Sequence, residues 1–376
     1  MKRFIVVLLS LGLVACAGVV NVKTIESEPS LWRAYKPYFR IGAAVDPQSL
    51  HTHADILVRH FNSVTPENEV KWEALQPKPD EFAYAAADEL VKFARGHKMF
   101  VRGHALVWHR QTPEWVFKNN TGGPVDVQEL RRRMKSHITQ VMQHFGNKID
   151  SWDVVNEAVM DDGKLRTDKE EKDDQKSPWF GVLGESYIAD AFNYAHEASP
   201  RAKLFYNDYY NYIPARRDAI YQLLKQLRSK GVPVHGVGLQ AHLNIRPSDD
   251  PQHQSFHQTI ENLEKSIQLY ASLGLEVQIT ELDVSVYIGG IKYNPQAFYT
   301  PLTFNPQIQA QQAERYRELF AMFRRNRAII SSVTFWGIAD DNTWLSEFAS
   351  GRKDFPLLFD INHKPKPAFF AVLDFK

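Results

Sequence analysis

Two glutamates stand at the C-terminal ends of apolar, β-branched runs, in residues 151–158 and 277–284. They are Glu157 and Glu281. Two carboxylates delivered from two strand ends are the minimum needed to cleave a glycosidic bond by double displacement, because one must attack the anomeric carbon while the other transfers a proton. Either glutamate taken singly would serve equally well in a salt bridge at a surface. Two such glutamates at strand ends together favour a catalytic role.

Residues beside the glutamates suit the same chemistry. Asp283 lies two positions after Glu281, on the same side of an extended strand, where we expect it to hold His242 of the neighbouring strand in one tautomer. A neutral, oriented His242 would then hydrogen-bond Glu281. Asn156 directly precedes Glu157 and is a candidate partner for the sugar hydroxyl next to the reacting carbon. These residues alone leave open which glutamate is the nucleophile.

Short apolar segments alternate with longer amphipathic ones from Phe39 onward, which is typical of repeated βα units. Helices with apolar residues near i, i+3, i+4 and i+7 are predicted at 50–61, 127–145, 187–198, 218–230, 257–273 and 308–325. The predicted strands are 39–44, 61–65, 100–107, 149–155, 203–206, 236–241, 275–280 and 331–335. This order predicts an α/β fold, a single-domain (β/α)8 TIM barrel. The absence of a G-x-G-x-x-G or P-loop motif weakens the alternative of a dinucleotide-binding sheet.

Polar residues interrupt these runs at their C-terminal edges, where TIM barrels carry their active sites. Other interpretations exist for some of them. Glu67 and Asn68 would suit a helix N-terminus, His104 and Trp108 could fill the barrel, and the later tryptophans could pack against the last helix. The predicted substrate-binding residues are Glu67, Asn68, Lys71, His104, Trp108, Gln111, Tyr209, Gln240, Trp336 and Trp344.

Composition restricts the class of partner. The chain has 45 Lys and Arg residues against 44 Asp and Glu, a net charge of +1, which creates no field to attract nucleic acid. Aromatic residues make up 12% of the chain, with eight tryptophans, which suits a cleft that stacks against a neutral ligand. We therefore expect a neutral partner and no nucleic acid.

The N-terminus predicts export. Lys2 and Arg3 precede an apolar stretch at 4–14, and the following Leu-Val-Ala-Cys at 13–16 resembles a bacterial lipoprotein signal. Cys16 is the only cysteine, so no disulfide is available to explain it. We predict a signal peptide at 1–15, a lipidated Cys16 with a tether at 16–32, and the catalytic domain at 33–376. Ala17 would favour the outer membrane of a bacterial envelope; the alternative is an ordinary cleaved signal peptide.

Several ordered motifs together resemble glycoside hydrolase family 10, whose members are mainly endo-β-1,4-xylanases with a (β/α)8 barrel. The motifs are TPENEVKW at 65–72, RGHALVWH at 102–109, WDVVNE at 152–157, GLQAH at 238–242 and ITELD at 279–283. Shorter matches occur at 335–337, 358–360 and 365–368, so the likeness covers about residues 35–375. Arg110 departs from the family pattern. We interpret it as a solvated rim charge, the alternative being contact with an acidic side-chain sugar.

The resemblance implies a retaining mechanism on xylan or xylo-oligosaccharides, with Glu281 as nucleophile and Glu157 as acid/base. It also implies that Tyr209 lies near the leaving group. The residues that it places on the glycone side are Glu67, Asn68, Lys71, His104, Trp108, Gln240, His242, Trp336 and Trp344. A monomer without metal or cofactor is expected, in contact with a membrane through its lipid anchor only. The tyrosine-, glycine- and proline-rich segment 284–306 is expected to shape the leaving-group side.

Three other functions fit parts of the sequence. His51 and His53 form an H-x-H pair like that of metal-dependent amidohydrolase barrels, but their apolar-periodic context predicts an exposed position on the first helix, and no further metal-ligand set follows at the strand ends. A β-1,4-glucanase or cellobiosidase of the same fold differs only in how its pocket treats one hydroxymethyl group. A catalytically inactive, surface-tethered sugar-binding lipoprotein would be expected to have lost a carboxylate.

Overall fold

The structure, a computed structural model, describes residues 29–288, 303–348 and 352–375. The predicted signal peptide, Cys16 and most of the 284–306 segment lie outside these ranges. In the described residues the strands are β1 (Arg40–Val45), β2 (Ser63–Pro66), β3 (Phe100–Val107), β4 (Ser151–Asn156), β5 (Lys203–Asp208), β6 (Gly236–Leu239), β7 (His242–Asn244), β8 (Glu276–Ser285) and β9 (Ile330–Phe335).

The strands form a closed parallel barrel. Each of β1 to β5 pairs with the next strand, β6 pairs with β8, β8 with β9, and β9 returns to β1. Strands β6 and β7 together form one interrupted strand of the barrel, because both pair with β8 and only Gln240 and Ala241 separate them. Ala241 has a positive φ of 61°, which bends the chain at that point. The predicted single-domain (β/α)8 barrel is confirmed.

Helices surround the barrel and begin where local sequence favours initiation. Asp126, Thr259 and Asn305 each cap a helix by accepting a hydrogen bond from a backbone N–H three residues ahead. The helices are α1 (Leu31–Tyr35), α2 (Ser49–Thr52), α3 (Ala54–His60), α4 (Trp72–Leu75), α5 (Ala85–Gly96), α6 (Val127–Phe145), α7 (Pro178–Leu183), α8 (Ser186–Ala198), α9 (Pro214–Ser229), α10 (Ile260–Ala271), α11 (Pro306–Arg325), α12 (Trp344–Phe348) and α13 (Pro367–Val372). None of those in the described ranges has the length and apolar surface needed to cross a membrane.

Several predicted helix boundaries were wrong. The helix predicted at 50–61 is two short helices, α2 and α3, joined at His53. The helix predicted at 218–230 begins earlier, at Pro214, because a proline at the first helical position has the φ angle a helix needs. The helix predicted at 257–273 begins only after the Thr259 cap. Thr and Pro at these starts override the apolar periodicity on which the predictions rested.

The splitting of the first predicted helix changes the position of one histidine. His51 is exposed, as predicted. His53 was predicted to be exposed as well, which is wrong: only 4% of its side chain is accessible. At the junction of the two helices its ring turns inward and contacts Asp341, a residue that follows β9.

Strand β8 extends well beyond its predicted end at residue 280 and reaches Ser285. Glu281 and Asp283 therefore lie within a strand and not in the loop after it. Backbone bonds hold this extension, since Glu281 N–H donates to Gln240 O over 3.0 Å. Two residues apart on one strand, both carboxylates project to the same side, as the alternation of side chains requires.

Buried polar residues inside the barrel connect β3 to β4. Arg102 of β3 is buried and forms an ion pair with Asp153 of β4, to which its Nε donates over 3.0 Å. Asp153 Oδ2 also lies 2.9 Å from His104 Nδ1. Gly103 lies against the ring of Trp152, so these two strands approach closely.

We predict that Gly103→Ala destabilises the protein by about 1–3 kcal/mol, because the added Cβ would lie 2.3 Å from Trp152 Cε3 in a filled interior. Gly96→Ala is the matched control. It adds the same methyl group at the end of α5, where nothing lies within 4 Å, and should stabilise by up to about 1 kcal/mol. Denaturant unfolding of both variants measures this. Equal effects in the two variants would contradict the close packing of β3 on β4.

Candidate active site

One cleft lies at the C-terminal ends of the strands and collects most of the predicted site residues. Of the predicted catalytic and binding residues, Asp283 alone does not line it. The cleft is lined by Glu67, Asn68, Lys71, His104, Trp108, His109, Arg110, Gln111, Asn156, Glu157, Arg166, Asp174, Gln175, Tyr209, Tyr210, Gln240, His242, Glu281, Trp336 and Trp344.

Glu157 is oriented by both its backbone and its side chain. It directly follows β4 with a positive φ of 58°, which a side-chain-bearing residue adopts only when the surroundings impose it. One carboxylate oxygen, Oε2, accepts from Trp108 Nε1 at 2.9 Å, and Oε1 accepts from Gln240 Nε2 at 2.9 Å. Each oxygen has one fixed donor, so the carboxyl group points into the cleft in a defined orientation.

Glu281 is more deeply buried, at 5% exposure, and is held by different partners. Its Oε1 accepts from Asn207 Nδ2 at 2.8 Å, and its Oε2 lies 3.2 Å from His242 Nε2. Burial alone would raise the pKa of this carboxyl group, but the hydrogen bonds from His242 and Asn207 and the nearby positive charge lower it below its ordinary value. Glu281 is therefore ionised at neutral pH.

His242 lies between two carboxylates. Its Nδ1 is 2.8 Å from Asp283 Oδ2, and this oxygen also accepts from Trp344 Nε1 at 2.9 Å. Burial favours the neutral imidazole, but the charges of Asp283 and Glu281 outweigh it and raise the pKa of His242 to about 10. The expectation of a neutral His242 was thus wrong. The ring is an imidazolium that donates to both acids.

Three side-chain amides connect the two glutamates. Gln240 Nε2, which donates to Glu157, also approaches Asn156 Oδ1 at 3.5 Å. Asn156 Oδ1 accepts from Asn207 Nδ2 at 3.0 Å, and that nitrogen donates its second hydrogen to Glu281. Neither carboxylate can turn without disturbing this chain of bonds.

Asn207 stands at the C-terminal end of β5, among the polar residues at the strand ends, but the sequence assigned it no role in catalysis or binding. Its importance follows from position: Thr280 Oγ1 donates to its Oδ1 at 2.7 Å and so fixes which face of the amide meets Glu281. The position of Asn207 at a strand end was the only signal that the sequence offered. Asn156, by contrast, was predicted, and its buried Nδ2 has no hydrogen-bond partner within the described protein.

Three residues of the motif at 65–72 line another part of the cleft. Lys71 Nζ donates to Asn68 Oδ1 at 3.0 Å and to Gln111 Oε1 at 2.8 Å, and it lies 4.9 Å from the centre of the Trp108 ring. Glu67 shares this wall of the cleft. Burial, only partly offset by Lys71, raises the pKa of Glu67 to about 7.

Two arginines that were not predicted lie beside Tyr209. Arg166 Nη2 donates to the Tyr209 hydroxyl at 3.0 Å, and the Arg216 guanidinium lies 3.7 Å from the centre of the Tyr209 ring. Arg216 also pairs with the fully buried Asp208. Arg110, the departure from the family pattern, is exposed and pairs with Asp174 at 3.1 Å, in keeping with a charge at the rim.

Aromatic rings close the remaining wall. Trp336 meets His104 edge to face at 5.4 Å, and the Trp344 ring lies 4.9 Å from that of His242. His104 is buried, contacts Asp153 through Nδ1 and also lines the cleft. Both tryptophans thus face the cleft, although Trp344 also supports Asp283.

The full length of the described barrel matches one family model, that of glycosyl hydrolase family 10, over residues 30–375. The chain belongs to this family. It is 43% identical to a β-1,4-xylanase of Dictyoglomus thermophilum over 100% of this chain and 99% of the relative. It is 44% identical to an endo-1,4-β-xylanase of Geobacillus stearothermophilus over 93% of this chain and 99% of the relative.

A solved structure agrees in fold. The xylanase XynB of Paenibacillus barcinonensis, crystallised with a conduramine derivative, superposes with a TM-score of 0.83 and 39% identity. The alignment covers 93% of this chain and 99% of that one. The likeness therefore extends over the whole barrel and not over a shared core alone.

We predict that Glu67→Gln stabilises the protein at alkaline pH. A carboxyl group whose pKa is raised on folding, here from 4.5 to about 7, favours the folded state only while protonated, so the wild type loses stability as pH rises from about 4.5 to 7. By linkage the loss is about 3 kcal/mol, because one pKa unit corresponds to about 1.4 kcal/mol. Glutamine carries no charge and avoids it. Thermal unfolding should show a larger advantage of the variant at pH 8.5 than at pH 5, and a pH-independent difference would contradict the raised pKa.

Proposed function

We propose that this chain is a retaining endo-β-1,4-xylanase that hydrolyses xylan or xylo-oligosaccharides. The observation that carries the proposal is the unequal treatment of two carboxylates in one cleft. Glu281 is kept ionised by a charged His242, whereas Glu157 receives only neutral N–H donors from Trp108 and Gln240. The xylanases to which the chain is similar support the substrate class.

In the first step, Glu281 attacks the anomeric carbon and forms a covalent bond to it, while the bond to the leaving sugar breaks. The proton of Glu157 passes to the leaving oxygen. Esterification removes the negative charge of Glu281, and with it the repulsion that opposes a second ionised carboxylate in the cleft. In the second step Glu157 takes a proton from water as that water attacks the same carbon and releases Glu281.

The surroundings assign further roles. The unpartnered Nδ2 of Asn156 is available to donate to the hydroxyl beside the reacting carbon, where hydrogen bonds strengthen in the transition state. Glu67, Asn68 and Lys71 supply an acceptor and donors for a neighbouring sugar unit on the glycone side. Trp336 and Trp344 offer apolar ring faces, and Tyr209 lies on the leaving-group side.

Incubation with defined xylo- and cello-oligosaccharides tests the substrate and the stereochemistry together. We expect xylo-oligosaccharides to be cut internally and ¹H NMR to show the β anomer first. Faster cleavage of the cello series would replace the proposal by a β-1,4-glucanase or cellobiosidase. Binding of xylo-oligosaccharide without any release of reducing ends would instead indicate a sugar-binding protein. An initial α anomer would refute retention.

We predict opposite chemical rescue of the two glutamate variants. Glu157→Ala should lose about 10²–10⁴-fold in rate on xylan but far less on an aryl xylobioside, whose leaving group needs no proton. Added azide should then yield a β-xylobiosyl azide, because azide attacks the covalent intermediate. Glu281→Ala should lose about a thousandfold or more on both substrates and yield the α azide by direct displacement. Glu89→Ala, a change on an outer helix, is the control. Identical rescue products from the two variants would contradict the assignment of roles.

We also propose that Cys16 carries a lipid that anchors the enzyme to the bacterial cell envelope, at the outer membrane. The Leu-Val-Ala-Cys sequence at 13–16 and the lack of any other cysteine support this. Cys16→Ser should release the enzyme from the membrane fraction and abolish incorporation of labelled palmitate, with barrel activity unchanged. Equal labelling of wild type and variant would contradict the anchor.

A further inference from the structure

Three side chains outside the cleft form a cluster of possible metal ligands. They are His53 at the junction of α2 and α3, Asp341 after β9, and His363 in the turn before α13. His53 and Asp341 lie 288 positions apart in the chain. None of the three lines the cleft that holds the glutamates. We call them the His–Asp–His cluster.

The distances within the cluster suit one small cation. Asp341 Oδ1 is 3.1 Å from His53 Nε2, and Asp341 Oδ2 is 3.1 Å from His363 Nε2. One ligand atom from each residue lies within 4.8 Å of the others. Ligands bound to Zn²⁺ at about 2.0–2.2 Å in a tetrahedral arrangement are roughly 3.3 Å apart. The cluster thus needs only small adjustments to bind such an ion.

The hydrogen bonding of His53 directs its second nitrogen toward the shared carboxylate. Thr52 Oγ1 has one proton and two contacts, Gln48 O at 3.1 Å and His53 Nδ1 at 2.7 Å. In the tautomer in which that proton goes to Gln48 O, Nδ1–H donates to Oγ1 and the Nε2 lone pair faces Asp341, where a cation would be held. A ligating histidine typically has this arrangement, with its other N–H held by an oxygen.

The two imidazole rings converge on the same carboxylate. The ring centres of His53 and His363 are 4.2 Å apart, and both rings direct Nε2 toward Asp341. One ion at that point would contact both rings and the carboxylate at once.

We propose that the His–Asp–His cluster binds a divalent transition-metal ion of the Zn²⁺ class, with water as the fourth ligand. Two imidazoles and one carboxylate suit Zn²⁺, whereas Ca²⁺ requires six to eight oxygen ligands. The role is structural: the ion ties the segment after β1 and the C-terminal turn to the loop after β9.

That loop is anchored on both sides of Asp341. Lys366 Nζ donates to the buried Asp340 at 2.8 Å, and Asn342 Nδ2 donates to Asp46 at 2.9 Å. Helix α12 begins directly after it with Trp344, which bonds Asp283. A metal ion at Asp341 would complete this set of restraints where the first and last strands of the barrel meet.

Equilibrium dialysis of the full chain without a polyhistidine tag, against Zn²⁺, tests the site. We expect one tightly bound ion per chain, no comparable binding of Ca²⁺, and loss of that ion in His363→Gln and Asp341→Asn. His51→Gln, a histidine change on the adjoining helix at an exposed position, is the matched control and should bind as the wild type does. Zn²⁺ binding retained in His363→Gln and Asp341→Asn would overturn the proposal, as would no stoichiometric ion in the wild type.

Two further measurements do not depend on how well the variants fold. The wild type loaded with Co²⁺ should show the intense visible absorption of a four-coordinate nitrogen and oxygen site, and the weak spectrum of hydrated Co²⁺ would overturn the proposal. Saturating Zn²⁺ should also raise the Tm of the wild type and of His51→Gln by a few degrees, as binding to the folded state alone requires. An unchanged Tm would count against a structural ion.

Discussion

The charge on His242 is the interaction on which the rest of the site depends. An imidazolium held between Asp283 and Glu281 lowers the pKa of the Glu281 carboxyl group against the effect of burial, which raises it. Double displacement needs an ionised carboxylate as its nucleophile. The arrangement is stable because each partner satisfies another: Asp283 accepts from both His242 and Trp344, and Glu281 accepts from His242 and Asn207.

The fold supports this charge arrangement with rigid elements. Glu281 and Asp283 lie on one strand and His242 on its neighbour, where His242 is in register with Asp283. The bend at Ala241 separates β6 from β7 and lets Gln240 and His242 face different partners. On the other wall, the positive φ of Glu157 turns its side chain toward the same cleft. Backbone conformations that cost energy in isolation are retained here because paired strands impose them.

Rigid elements also restrain the chain where β9 pairs with β1 and closes the barrel. The proposed metal ion and the Lys366–Asp340 pair would both restrain the loop that leads from β9 to Trp344. Because Trp344 bonds Asp283, this loop is one step removed from His242. Stability where β9 meets β1 and the orientation of Glu281 therefore depend on shared structural elements but on different side chains.

The amino-acid sequence by itself determined the kind of fold and most of the cleft. Regular alternation of apolar strands and amphipathic helices is a local pattern, and the C-terminal ends of parallel strands must meet at one end of a barrel. The two glutamates, Asn156 and the binding residues could be chosen on that basis, before any contact between them was known. Side-chain periodicity likewise placed Glu281 and Asp283 on one face.

Only the tertiary structure decided the charge of His242, the role of Asn207 and the position of His53. The charge of His242 depends on the balance between its burial and two carboxylates of another strand. The role of Asn207 depends on an amide in β5 reaching β4 and β8 at once. His53 belongs to an apolar-periodic stretch that predicts an exposed helix, but the break between α2 and α3 turns its ring toward a residue 288 positions away. Long-range contacts set protonation and orientation, whereas local pattern sets which element a residue occupies.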